Sequence, residues 1–200
     1  MYKPLVSLLL LCPGFQFTQE IHAQDINHAA KTESPGTGKH QLGDNYGGGK
    51  IFWLDEAGQH GLIAPAADQS AKGIAWNPGK AVVTGANADV LYSGQNNSEK
   101  IVSVQGKSDQ YAARLCLEFS VTSNNVVYSD WYLPSKYELN LLYQQRMVVG
   151  GFNTGSGIYW SSTESIATPE TSALEQEFKF GSQHEDDKDL PDQVRCIRKF

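Results

Sequence analysis

The sequence predicts an α+β fold, and three observations carry that expectation. Ser135-Lys136-Tyr137-Glu138 is a capping box ahead of an apolar helical stripe. Two runs of strand formers, residues 50–54 and 62–64, flank a polar turn region. The tail from Ile158 onward reads as strands. The chain has 200 residues, 40% of them hydrophobic, which suits one domain with a proper core.

The N-terminus reads as an export signal over residues 1–23. Lys3 supplies a positive start, residues 5–11 are apolar apart from Ser7, and Pro13-Gly14 ends the run. The expected cut follows Ala23, although Ile21 is larger than the usual small residue two positions before it. The run is far short of the roughly 20 apolar residues that span a bilayer, and no later stretch reaches that length, so no membrane span is expected. A buried N-terminal strand is the alternative. The polar stretch at 24–45, centred on Ser34-Pro35-Gly36-Thr37-Gly38, argues against it because linker composition would separate that strand from the domain.

Net charge is −6, and losing residues 1–23 removes Lys3 and Glu20 together, so it stays there. A net acidic chain without a Lys/Arg run is unsuited to nucleic acid or to an anionic membrane surface. Of three cysteines, Cys12 lies in the signal. A lipidated Cys12 is the lesser reading, since Leu11 stands where a small residue is usual. Cys116 and Cys196 remain, and an even pair in an exported chain suggests a disulfide closing about 80 residues. Two separate buried thiols would be the better reading for a chain that stays in the cytosol.

The domain is expected over residues 46–200. Residues 50–54 and 62–64 form a hairpin candidate around residues 55–61. Residues 65–95 read as a long irregular segment, with Ile74-Ala75-Trp76 as a short strand. Asn96 or Asn97 is expected to cap a short helix through Ile101, Val102 and Gln105. Ser108 is expected to cap a second, in which Tyr111, Leu115 and Phe119 fall at four-residue spacing beside Ala112 and Cys116. The third helix follows Ser135 and buries Leu139, Leu142, Tyr143 and Met147, with Gly150-Gly151 at its end. Residues 158–162 read as a strand. Residues 174–180 alternate, with Leu174, Gln176, Phe178 and Phe180 opposed to Glu175, Glu177 and Lys179. Residues 193–200 form the last strand, and residues 185–189 an exposed acidic loop.

Several stretches together resemble a known family. They are residues 48–55 with Gly58-Gln59-His60-Gly61-Leu62-Ile63-Ala64, then Asp68-Gln69-Ser70 with Gly73-Ile74-Ala75-Trp76. Tyr111-Ala112-Ala113-Arg114-Leu115-Cys116, Asp130-Trp131-Tyr132-Leu133-Pro134-Ser135 and residues 138–143 continue the series. Tyr159-Trp160-Ser161-Ser162-Thr163-Glu164 and Val194-Arg195-Cys196-Ile197-Arg198 complete it. Their order and spacing over residues 43–200 resemble the bacterial domain family named for the C-terminal domain of the Legionella collagen-like adhesin, formerly a domain of unknown function. The resemblance implies a C-type-lectin-like fold: two main helices packed on two small antiparallel sheets, with a long irregular loop region. It implies a disulfide from a helix to the last strand, the positions already given to Cys116 and Cys196. It also implies a binding role. The best-understood relative is a trimer after a collagen-like stalk and takes sulfated glycans. This chain has no glycine-triplet stalk and is acidic, so neither trimerisation nor a sulfated ligand is carried over.

No catalytic constellation is expected. The histidines at 22, 28, 40, 60 and 184 fall in the signal, the linker or loops, and no His-x-x-x-His, Cys-x-x-Cys or Gly-x-Ser-x-Gly occurs. Glu185, Asp186, Asp187 and Asp189 could hold Ca²⁺, but Lys188 interrupts them and a solvated loop is the plainer reading, so no metal or other cofactor is expected. The aromatic residues remain. Sugar sites combine an aromatic face with hydroxyl and carboxylate partners, and Tyr159, Trp160, Ser162 and Glu164 have that composition. The expectation is an exported, non-catalytic module that binds a glycan through those four residues, adhesin-like at the cell surface, in the periplasm or secreted. The alternative is a protein-binding or structural lectin-like domain.

Overall fold

The structure, a computed structural model, describes residues 39–200. The expected signal, Cys12 and most of the expected linker lie outside the described residues. Ordered packing begins before Tyr46: the His40 ring stands 4.4 Å from Tyr46 and 5.1 Å from Phe200. Among the described residues no helix is long and apolar enough to cross a membrane.

The fold is mixed α+β. One sheet takes the order β1 (Asn45–Tyr46), β2 (Gly49–Leu54), β3 (Gly61–Ala64) and β11 (Arg198–Lys199). A five-stranded sheet takes the order β4 (Ser70–Ile74), β10 (Asp192–Val194), β7 (Ile158–Glu164), β8 (Ser172–Glu177) and β9 (Gln183–Asp187). The β10–β7 pairing is parallel, so this sheet is mixed where an antiparallel one was expected. A third unit, β5 (Val121–Ser123) with β6 (Val126–Tyr128), is a hairpin turning at Asn124-Asn125. Both asparagines have positive φ, 49° and 62°, which is what a two-residue primed turn requires.

Period-2 geometry explains why β2 and β3 read as apolar runs without alternation. Adjacent residues on a strand point to opposite faces. Ile51, Ile63, Trp131, Trp160 and Cys196 enter one core, while their neighbours Phe52, Leu62, Tyr132, Tyr159 and Ile197 enter a second. Strands covered on both faces leave no polar side to alternate with.

Helix α1 (Ser93–Gln105) begins before Asn96. Its first amides are met from outside: Glu138 Oε1 accepts from Tyr92 N at 2.9 Å and Oε2 from Gly94 N at 3.1 Å. Gly94 cannot carry a side chain, since a Cβ there would stand 2.7 Å from Leu133 O and from Ser135 N. Helix α2 (Ala112–Glu118) follows Tyr111, not Ser108; its start is held by Ala112 N donating to Ala75 O at 3.0 Å. Helix α3 (Lys136–Gln144) carries the full capping box. Ser135→Ala removes the acceptor for Glu138 N, and should cost about 1 kcal/mol and a few degrees of melting temperature in a thermal melt. The chain breaks at Gln145 before α4 (Arg146–Val149), and the break turns Met147 outward to 81% exposure instead of into the core.

The tail departs furthest from the sequence reading. Glu175 is buried at 6% exposure and Phe180 is 71% exposed, so the expected alternation fails. The expected acidic loop is strand β9, and Lys188 just beyond it is buried. The last strand is two strands in two sheets, and Cys196 occupies the gap between them. Its sulfur is bonded to Cys116 on α2, with a Cα–Cα distance of 5.4 Å.

Candidate functional site

The four residues expected to face a ligand are interior. Tyr159, Trp160 and Ser162 are fully buried and Glu164 is 1% exposed. Strand β7 lies between β10 and β8, with α1 on one side and α3 on the other. Their polar atoms are engaged. Tyr159 Oη donates to Asp68 Oδ2 at 3.0 Å and accepts from Asn153 N at 2.9 Å. Burial first, and the Asp68 carboxylate, push the Tyr159 phenol above its ordinary range. Asp68 in turn pairs with buried Arg195 at 2.6 Å. Trp160 Nε1 donates to Ile74 O at 3.0 Å, and Ser162 Oγ lies 3.5 Å from Asn97 Nδ2. The tryptophans do not supply a stacking platform either: Trp76, Trp131 and Trp160 are fully buried and Trp53 is half-buried.

Glu164 nevertheless organises the surface nearby. Its Oε1 accepts from Thr84 N at 2.8 Å, Thr84 Oγ1 at 2.9 Å and Lys188 Nζ at 2.6 Å. Oε2 accepts from Gly85 N at 2.8 Å. Lys188 Nζ also donates to Pro169 O at 2.6 Å and Val82 O at 3.3 Å, and stands 4.4 Å from the Trp76 ring centroid. Burial pulls the Lys188 pKa down, and Glu164 opposes it. The pair thus fastens the middle of the irregular segment to the five-stranded sheet. Its far end is tied to α3, where Tyr137 N donates to Asp89 Oδ1 at 2.6 Å and Ser135 Oγ to Val90 O at 3.2 Å.

Over this anchor lies an open pocket of about 260 Å³, lined by Asn77, Gly79, Ala81, Glu170, Thr171, Asp187 and Asp189. Asn77 is held in place: its N donates to Lys188 O at 3.2 Å and its Oδ1 accepts from Gly79 N at 2.8 Å. The lining offers an amide, a hydroxyl and three carboxylates, and no cationic side chain. Such a surface suits a hydroxyl-rich or positively charged ligand and repels an anionic one. A second cavity, about 360 Å³ between α1 and α2, is lined by Val102, Leu117, Arg114 and Glu118 among others. Its guanidinium is already committed to Glu118 at 2.8 Å.

For a metal, the described residues offer one grouping. A carboxylate oxygen from each of Glu175, Asp186 and Asp192 lies within 4.8 Å of the others. Cys116 and Cys196, being joined, offer no free thiol.

Sequence reasoning missed Asn77, Thr84 and Lys188. Asn77 and Thr84 sit in a segment without periodicity. Lys188, flanked by acidic residues, has the pattern of a solvated loop, and only a three-dimensional partner shows otherwise. No family model matches the chain, and no curated protein matches it.

Proposed function

We propose that the chain is an exported, non-catalytic binding module of C-type-lectin-like fold, and that it takes a neutral or amino-bearing glycan in the pocket over Lys188. One observation carries the reading: an irregular segment with little regular structure of its own is pinned by a buried ion pair and presents fixed polar groups. Preorganised polar groups bind with a smaller ordering penalty. The disulfide supports export, since such bridges persist in oxidising compartments. The acidic lining supports a ligand that is not sulfated.

A glycan array, run with and without Ca²⁺, tests the reading. Neutral or amino sugars should bind, and Asp187→Asn, which removes one charged acceptor, should weaken binding by about 10- to 100-fold. An array without signal above background would remove the glycan. One observation favours a protein ligand as the second reading: no aromatic ring lines the pocket, so the usual stacking face for a sugar is missing. A dominant protein partner that sugars fail to displace would select it.

A further inference from the structure

We propose that Glu175, Asp186 and Asp192 form a binding site for a hard divalent cation of the Ca²⁺ class. The three side chains come from three different strands, β8, β9 and β10, and converge with one oxygen each inside 4.8 Å. Ca²⁺ binds oxygens at roughly 2.3–2.6 Å, so two ligands on one ion stand up to about 5 Å apart. The spacing fits. All donors are carboxylate oxygens, with neither thiolate nor imidazole among them, which selects Ca²⁺, Mg²⁺ or Mn²⁺ over zinc.

A separate observation says the site lacks something. Glu175 Oε2 and Asp192 Oδ2 are buried with no hydrogen-bond partner, and Glu175 is only 6% exposed. Buried polar atoms are nearly always satisfied, so two unpartnered carboxylate oxygens on members of one cluster call for an occupant. Nearby bases do not provide it. Lys188 is committed to Glu164, and His184, the cross-strand neighbour of Glu175, is exposed and outside the cluster.

A proton is the competing occupant. Burial above all, and then Asp192 and Asp186, push the Glu175 carboxyl up to about 9. Burial and Asp186 raise Asp192 as well, while Glu175 works against that rise. The two titrate as a pair. One shared proton joins two carboxyls, however, and leaves the third pointing at them, whereas a cation uses all three.

The two occupants predict different behaviour. With carboxyl pKa values raised in the folded state, the proton's stabilisation is complete below the unfolded carboxyl range and is lost as pH rises towards 9. A cation displaces that proton, so its effect grows with pH. The test uses the full oxidised chain, stripped with a chelator. At about pH 8, Ca²⁺ at about 5 mM should raise the melting temperature by several degrees, and by less at about pH 5.5. Tb³⁺ should bind with tryptophan-sensitised emission, because Trp160 is the cross-strand partner of Glu175, and Ca²⁺ should quench it by displacement. Glu175→Gln should abolish both signals while raising the metal-free melting temperature at pH 8. Should Ca²⁺, Mg²⁺ and Mn²⁺ all leave the wild-type melt unmoved at that pH, a proton alone fills the cluster and the proposal fails. It fails equally if Glu175→Gln and Asp192→Asn both keep the full Ca²⁺ response.

Discussion

Reducing the Cys116–Cys196 bridge, or replacing Cys116 by Ser, is expected to lower the melting temperature by on the order of 10 °C. The bond closes a separation of 80 residues. On the chain-entropy model, cross-linking a loop of that size removes about 4–5 kcal/mol of unfolded-state freedom, and each kcal/mol moves a domain of this length by about 2–4 °C. The location adds to the effect. Cys196 lies where the chain leaves the five-stranded sheet at β10 and enters the four-stranded sheet at β11. The bridge nails that joint to α2, so losing it loosens three elements together. Melts with and without reductant, paired with intact-mass measurement of the thiols, check the claim. Coincident melts would show that the bond contributes nothing to stability.

Lys188→Met should be of similar size and act differently. It strands Glu164 in the interior with its charge uncompensated, and breaking one half of a buried pair costs about 3–5 kcal/mol. Three neutral donors, Thr84 N, Thr84 Oγ1 and Gly85 N, soften the loss without replacing the charge. The double replacement Glu164→Gln with Lys188→Met should recover much of the stability, because most of the penalty belongs to the unpaired ion. Denaturant unfolding of the two single variants and the double one forms a complete cycle. Amide exchange at Thr84 and Gly85 should quicken in each variant. Additive single effects would mean the two groups act independently despite their contact.

The parts of the fold that were legible in the sequence are those fixed by local chemistry. Ser135 and Glu138 specify a helix start within four residues, and the hairpin of β2 and β3 follows from strand formers around a polar turn. The pairing of Cys116 with Cys196 was legible because only two cysteines remained after the expected signal. Distant partners hid the rest. Helix α1 starts on a carboxylate supplied by another helix, so Asn96 drew attention to the wrong turn. Glu175 sits in an alternating pattern that assigns it to solvent, whereas in the fold it is buried on β8 between Trp160 of β7 and His184 of β9, near Asp186 and Asp192. Tyr159 to Glu164 had the composition of a sugar site, yet that composition also serves a central strand whose hydroxyls and indole all have internal partners.

The Glu138 carboxylate, shared between the starts of α1 and α3, has a wider implication. The irregular stretch returns to the body at a point set by that shared group, and departs from one set by Trp76 against Lys188. Between them the stretch is tied once more, where Lys188 and Glu164 hold Val82, Thr84 and Gly85. Substitutions are therefore expected to be tolerated best at the exposed positions between these ties, Lys80 and Val83 among them, while a change of length there would pull on the buried pair.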